Sequence, residues 1–269
     1  MKTGKWSSLV AVLLVAQSAS AVSIWGKVKN TFNDCSYSDS ERRTVLNYEK
    51  QVTPKLPDHY FGTFSQKDVY DNPWMKDFRY IVVVDRAAKG PTAQTMTVYQ
   101  YGAFLYKTKV STGRESFELR RKSKVCSGAP MNSYWSNTPT GFYTPKFLSK
   151  DHRSGSWDAS MPEAIFYDVD NGLALHAAGR SYIKYLGNRA SGGCTRQHPE
   201  AAEQLFERVK ATSGATVPEV NVNGTPVLDE NGQVKYSNRQ YWTSKTRKVT
   251  QFTTFSALII VQDSSGEYQ

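Results

Sequence analysis

Residues 190–196 read ASGGCTR, and they come directly before the clearest helix pattern in the chain. Two consecutive glycines let the backbone turn tightly and let neighbouring N–H groups point into one space, as an oxyanion site requires. A thiol near a helix start and near Arg196 is expected to have a lowered pKa. Cys194 is therefore a candidate nucleophile, with a buried structural cysteine as the alternative.

The helix pattern begins at Pro199, since proline suits the first helical turn. Gly214 is a typical C-terminal stop. The predicted apolar face is formed by Ala201, Leu205, Phe206 and Val209. One good helix is therefore predicted.

The rest of the patterned sequence favours β-structure. A β-branched run, a hairpin pattern and an Asn171-Gly172 turn between two short apolar runs are typical of strands. Predicted strands cover residues 80–84, 95–101, 104–110, 164–169, 174–176 and 255–261, with shorter ones at 220–224 and 234–236. We therefore expect a mainly β protein.

His176 ends one of these strands, where it could act as a base for Cys194. The alternative is a structural histidine. Cys194 and His198 are four residues apart, but no second Cys/His pair has zinc spacing, so no metal is predicted. The sequence also has no G-x-S-x-G, Walker or Rossmann pattern, and we predict no cofactor.

The N-terminus has the features of a secretory signal peptide over residues 1–21, with two lysines, a short apolar run and cleavage near Ala21. Residues 22–76 are predicted to be an extension with a helix near residues 40–50. No transmembrane segment is predicted, because the apolar run is too short. The mature protein is expected in the periplasm or cell wall.

The chain is 39% hydrophobic and 13% aromatic, which excludes a disordered composition. Its formal charge of +10 favours polyanions. For an exported protein these are anionic wall polymers rather than nucleic acid. Three cysteines leave one unpaired, and we predict a Cys35–Cys126 disulfide with Cys194 free. A basic, aromatic insertion near residues 114–137 is either a solvated loop or a polymer-contacting one.

Several ordered motifs resemble the YkuD-type L,D-transpeptidase family. Residues 191–196 are similar to its Ser-His-Gly-Cys signature, and His176 precedes Cys194 by the 18 residues that the family uses. Residues 110–113 and 138–141 resemble two further family motifs, which the insertion separates here. The resemblance covers residues 79–210 and 257–262. It implies a catalytic domain over residues 77–263, built of mixed β-sheets or a β-sandwich with one main helix after the cysteine, and with a second insertion near residues 215–255.

The resemblance implies a mechanism on peptidoglycan tetrapeptide stems. Cys194 attacks the carbonyl before the terminal D-alanine, while His176, oriented by a backbone carbonyl within residues 177–179, takes the thiol proton. The acyl-enzyme passes to an amine and forms a 3–3 crosslink or another transfer product. The remaining implied site residues are Gly193 and the Cys194 N–H for the oxyanion, Ser191, Gly192 and Ala177 for site shape, and Arg196, Tyr182 and Trp135 for substrate.

Two residues depart from the family pattern. Gly192 replaces the histidine of the signature, and Ala177 replaces a glycine that often follows the catalytic histidine. If position 177 needs a positive φ, alanine is strained there. Three alternatives stay open: an L,D-carboxypeptidase or hydrolase, D-amino-acid or lipoprotein transfer by the same site, and an inactive wall-binding module.

Overall fold

A computed structural model describes residues 55–120, 132–154, 159–243 and 249–266. The chain divides into two compact units. The larger unit comprises residues 54–115 and 135–269, and the smaller comprises residues 1–53 and 116–134. The predicted signal peptide, the predicted helix near residues 40–50, and Cys35 and Cys126 lie outside the described residues.

The fold is mainly β, as predicted. The described residues form two α-helices, α1 (Gln66–Asp71) and α2 (Pro199–Lys210), and two 3-10 helices, Pro73–Asp77 and Arg180–Tyr185. The strands are β1 (Tyr80–Asp85), β2 (Thr95–Gln100), β3 (Ala103–Ser111), β4 (Phe117–Arg120), β5 (Asn132–Trp135), β6 (Gly141–Tyr143), β7 (Phe147–Ser154), β8 (Ala159–Asp168), β9 (Leu173–Ala177), β10 (Thr195–Gln197), β11 (Val217–Pro218), β12 (Tyr236–Ser237), β13 (Arg239–Thr243), β14 (Val249–Thr253) and β15 (Ala257–Gln262).

Nine strands form one mixed sheet in the order β6-β15-β1-β2-β3-β10-β9-β8-β7. Strands β1 and β15 pair in parallel, as do β10 and β9. Strands β6 and β8 are far apart in this order, yet the rings of Tyr143 on β6 and Tyr167 on β8 lie 5.0 Å apart. The sheet is therefore curled. The remaining pairs are β4 with β5, β11 with β12, and β13 with β14.

Strand β1 is buried along its whole length, which explains its run of β-branched residues. Val82 and Val84 face one core cluster, which also contains side chains of β8, β9 and α2. Ile81 and Val83 face a second cluster on the other side of the strand. Both faces of the strand therefore exclude water, and removal of this apolar surface from water stabilises the sheet.

Helix α2 begins at Pro199, as predicted. Its buried residues are Ala202, Leu205, Phe206 and Val209. The prediction that Ala201 lies on this face is wrong. Ala202 is buried there instead, and the side chain of Ala201 is partly exposed to solvent. The helix packs on the face of the sheet that carries Leu173 and Leu175.

The predicted hairpins are confirmed by the antiparallel pairs β2–β3 and β8–β9. The last strand starts at Ala257, two residues later than expected. The shorter strands expected at 220–224 and 234–236 are mostly replaced by isolated bridges, Val220 with Pro226 and Leu228 with Val234.

Residues 64–78 pack onto the sheet. The side chains of Phe64, Val69, Trp74 and Met75 are buried in the second core cluster. Ser65 and Asp68 form a capping box at the start of α1. The boundary placed between residues 76 and 77 remains a prediction. Among the residues seen in the structure, no helix has the length and hydropathy needed to cross a bilayer.

Candidate active site

Cys194 lies directly before β10, at the end of the glycine-containing loop. It is half-buried and is a free cysteine. Thr195 pairs with Leu175 in parallel register, so Cys194 stands opposite Ala174 on the neighbouring strand β9. Its thiol donates a hydrogen bond to the carbonyl oxygen of Gly172, with an Sγ–O distance of 3.3 Å.

His176 lies two residues beyond Ala174 on β9 and is buried. Its Nδ1 is 2.8 Å from the carbonyl oxygen of Ala177. A carbonyl only accepts hydrogen bonds, so Nδ1 carries the proton and Nε2 has the free lone pair that a base needs. Ala177 is not among the described residues with positive φ. The strain considered for alanine at this position is therefore absent.

The strand register places Cys194 and His176 on one face of the sheet. His176 is paired with Arg196, and Cys194 precedes Arg196 by two residues, which is the period of a strand. Diagonal neighbours on adjacent strands lie about 8 Å apart, so Cys194 and His176 are close neighbours on this face. Helix α2 packs on the opposite face, so it does not cover the pair.

Both groups are uncharged at neutral pH. Burial lowers the pKa of His176 to about 4, and the nearby Arg196 acts in the same direction. Burial raises the pKa of the Cys194 thiol, although the backbone N–H of Ala174 and the charge of Arg196 oppose this. The prediction of a lowered thiol pKa is therefore wrong. The physical reason is that β10 separates the cysteine from the start of α2, while desolvation outweighs Arg196.

The loop before Cys194 is fixed by buried hydrogen bonds. The Thr112 carbonyl accepts from the N–H groups of Ala190 and Ser191, at 3.0 and 2.8 Å. The Thr138 hydroxyl donates to the Gly193 carbonyl at 2.6 Å. Gly193 has a φ of 133°, and a Cβ there would lie 3.0 Å from a Leu173 methyl carbon, so glycine is required.

The same Thr138 hydroxyl accepts the N–H of Gly113 at 2.9 Å. A Cβ on Gly113 would lie 2.2 Å from the Ser136 carbonyl oxygen. The two motifs that the insertion separates in sequence are therefore adjacent in the structure. The sequence pointed to both motifs, but it gave no indication that Thr138 reaches the nucleophile loop.

Gln94 is a further supporting residue that the sequence did not reveal. It is buried with a left-handed φ of 51°. Its amide accepts the N–H of Thr112 at 2.9 Å and donates to the Thr112 hydroxyl at 2.8 Å. Such a backbone conformation is rare for a residue with a Cβ and is not readable from a residue type.

Ser191 bridges the turn that leads to Cys194. Its hydroxyl donates to the Cys194 carbonyl and accepts the Gly193 N–H at 3.1 Å. The Gly193 N–H is therefore bonded to Ser191 in the resting site, and its assignment as an oxyanion donor remains a prediction. Gly192 has no positive φ, so a side chain there meets no backbone strain of that kind.

Arg196 and Tyr182 are brought together. The Arg196 guanidinium lies 4.4 Å from the centre of the Tyr182 ring, and it donates to the Ala190 carbonyl at 3.2 Å. Trp135 lies at the end of β5 and is partly buried. The assignment of these three residues to substrate binding remains a prediction.

A charged network underlies Thr138. Arg86 is fully buried, forms a two-pronged ion pair with Asp58 at 2.7 and 2.8 Å, and donates to the Thr138 carbonyl at 2.8 Å. Asp263 accepts from its Nε at 3.2 Å. Two-pronged pairing of this kind fixes orientation as well as charge. Arg86 thereby connects residues near both ends of the larger unit to the segment that supports the nucleophile loop.

The family model of the YkuD L,D-transpeptidase catalytic domain matches residues 79–228, which is more than half of the chain. The chain therefore belongs to this family.

The chain is also similar to solved structures. An L,D-transpeptidase from Mycobacterium smegmatis is 16% identical with a TM-score of 0.39, over 69% of this chain and 59% of that one. One from Mycobacterium tuberculosis H37Rv is 15% identical with a TM-score of 0.39, over 69% and 58%. One from Stackebrandtia nassauensis is 21% identical with a TM-score of 0.33, over 48% and 49%. The chain thus spans less than two thirds of each. No curated protein matches it.

Proposed function

We propose that this protein is an L,D-transpeptidase of peptidoglycan, with Cys194 as nucleophile and His176 as base. The proposal rests on one observation: Cys194 and His176 lie on the same face of the sheet, and Nε2 of His176 carries the unprotonated lone pair. An uncharged imidazole can act as a general base, and the thiol at the start of the adjacent strand can act as the nucleophile that it deprotonates.

The reaction begins when the thiol rotates from the Gly172 carbonyl toward His176. Sγ forms a bond to the carbonyl carbon between the third residue of the stem and its terminal D-alanine, and the thiol proton moves to Nε2. When the tetrahedral intermediate collapses, the C–N bond breaks and the amine of D-alanine takes that proton. A thioester and free D-alanine are formed.

An acceptor amine then attacks the thioester carbonyl and gives its proton to His176. The C–S bond breaks and the thiol is restored by that proton. If the amine belongs to the diaminopimelate of a second stem, the product is a 3–3 crosslink. Proton transfer must accompany attack, because thiol and imidazole are both uncharged in the resting site.

The developing oxyanion needs donors aimed at it. In this proposal the Cys194 N–H is the first donor. The Gly193 N–H becomes the second only if it leaves the Ser191 hydroxyl, to which it is bonded at 3.1 Å. Arg196, held against Tyr182 near the same face, is proposed to meet a stem carboxylate.

The test is mass analysis of muropeptides after incubation of tetrapeptide stems with the purified protein. Crosslinked dimers are expected from the wild type and absent with Cys194→Ala and with His176→Gln. His59→Gln is the matched control, since the contact at this position is made by the backbone N–H to the Thr140 carbonyl. Unchanged dimer formation by Cys194→Ala would remove the mechanism.

The same assay distinguishes the other acceptors. Tripeptides without dimers mean that water is the acceptor and that the protein is an L,D-carboxypeptidase or hydrolase. A stem carrying an added D-amino acid means exchange, and a stem joined to a lipoprotein lysine means anchoring. If the wild type forms no thioester adduct with a carbapenem but sediments with wall sacculi, it is a wall-binding module without catalysis.

We further propose that the protein is exported and acts in the periplasm or cell wall, because residues 1–21 have the pattern of a signal peptide. Sequencing the N-terminus of the mature protein tests this, with Val22 as the expected first residue. An intact Met1 in the secreted fraction would refute cleavage near Ala21.

A further inference from the structure

A groove of about 440 Å³ lies between edge strand β7, helix α2 and strand β14. Its apolar lining includes four phenylalanines, Phe147, Phe206, Phe252 and Phe255. The volume is within the range of small-molecule sites, which are mostly apolar with a few placed polar groups. None of the residues proposed for catalysis lines this groove.

The apolar wall of the groove is preformed. The Phe147 ring stacks on Phe166 with centroids 4.4 Å apart, and Phe252 lies 5.9 Å from Phe147 with nearly parallel planes. Phe206 and Phe255 are buried members of the first core cluster. Because these rings are held by packing, an apolar ligand would not have to order them on binding.

Three lysines, Lys146, Lys150 and Lys210, line the same groove. The two exposed ones both lie near Glu207, at 3.8 Å from Lys150 and 3.3 Å from Lys210. Among the described residues, the charged side chains that line the groove are all lysines, and they lie beside its apolar wall.

Lys146 is the most informative of the three. Its Nζ lies 3.2 Å from the amide oxygen of Gln240 and 3.4 Å from the hydroxyl of Thr144, and both acceptors are uncharged. Within the described ranges, no carboxylate forms a salt bridge with it. Burial lowers the pKa of Lys146, although the charges of Asp168 and Glu219 act in the opposite direction. An anion beside Nζ would give it a charged partner at hydrogen-bond distance, which Gln240 and Thr144 are not.

We propose that this groove binds an amphiphile with an acyl chain and an anionic carboxylate or phosphate head. The chain lies against the phenylalanines, and the head lies at Lys146 with Lys150 and Lys210 beside it. Charge complementarity selects the anionic head, and the phenylalanine wall selects an apolar tail over a sugar or a charged peptide. The ligand comes either from a free fatty acid or from an anionic phospholipid.

The test measures binding of dodecanoate, dodecyl phosphate and dodecyl maltoside to the full chain by calorimetry. The three probes share a tail and differ in the charge of the head. We expect the two anionic probes to bind the wild type at least about tenfold more tightly than the neutral one. Equal affinity for charged and neutral heads, or no binding of any probe, would overturn the proposal.

Lys146→Met keeps a long apolar side chain and removes the charge. We expect it to reduce the preference for anionic heads to within about twofold and to leave the weak binding of dodecyl maltoside unchanged. Lys89→Gln, on an exposed turn, is the matched control and should retain the full preference. Phe252→Ser should weaken all three probes alike. An undiminished preference in Lys146→Met would refute the assignment of the head group.

Vesicles separate the two sources. If the wild type sediments with phosphatidylglycerol vesicles but not with phosphatidylcholine vesicles, and Lys146→Met does not sediment, the source is a phospholipid. If only free dodecanoate binds, the source is a fatty acid. These measurements are independent of turnover at Cys194, so Cys194→Ala should bind every probe as the wild type does.

Discussion

Acidification should destabilise the fold through His176. The folded state holds this imidazole uncharged, with a pKa of about 4, whereas an unfolded histidine has a pKa of about 6.5. As pH falls below about 6.5, the unfolded chain binds a proton that the folded chain does not bind. Stability from this group is therefore complete above about pH 6.5 and is lost progressively as the pH falls toward about 4.

The size of the effect follows from the two pKa values. A separation of about 2.5 pH units corresponds to roughly 3 kcal/mol at full extent. Between about pH 7 and about pH 4.5 most of this is lost, so the contribution of His176 to the free energy of unfolding should fall by about 2 kcal/mol. That is a large share of the stability of a typical domain.

Urea unfolding of wild type and His176→Gln at both pH values isolates this contribution. Glutamine does not titrate, so the variant should lose about 2 kcal/mol less than the wild type on acidification. His59→Gln is the control and should follow the wild type. An equal loss in wild type and His176→Gln would show that the imidazole is protonated freely in the fold, which would refute its burial-driven pKa.

Three further predictions concern the nucleophile and its support. Because burial raises the pKa of Cys194, its alkylation by iodoacetamide should rise about tenfold per pH unit from about pH 7 upward; a rate that is level across this range would reveal a thiolate. Thr138→Val leaves the Gly193 carbonyl and the Gly113 N–H without their buried partner, so it should cost about 2–4 kcal/mol in thermal or urea unfolding and lower kcat, while Thr138→Ser should restore both; a Thr138→Val protein with wild-type kcat and stability would contradict this role. Gly113→Ala brings a methyl group to 2.2 Å from the Ser136 carbonyl oxygen and should cost about 3 kcal/mol or more, which urea unfolding would detect; a neutral result would contradict the close approach.

Local patterns accounted for most of the secondary structure. The β-branched run of β1, the turn between β8 and β9 and the proline at the start of α2 each act over a few residues, so the sequence alone was sufficient. The error at Ala201 was a rotation of the helix by one position, which is decided by what the helix packs against.

The sequence also determined which residues were candidates for chemistry. The glycines before Cys194 and the strand end at His176 indicated these two residues, and the resemblance to the family added the motifs around Gly113 and Thr138. Only the tertiary structure decided the protonation states of Cys194 and His176. Burial, which depends on packing over the whole core, holds the thiol and the imidazole uncharged, and the Ala177 carbonyl selects the tautomer. Contacts between residues far apart in the chain decided the rest: Thr138 meets the nucleophile loop, and Lys146 comes to lie beside phenylalanines from three separate elements. Such contacts leave no periodic trace in a sequence, since they arise only when the sheet curls and brings distant segments together.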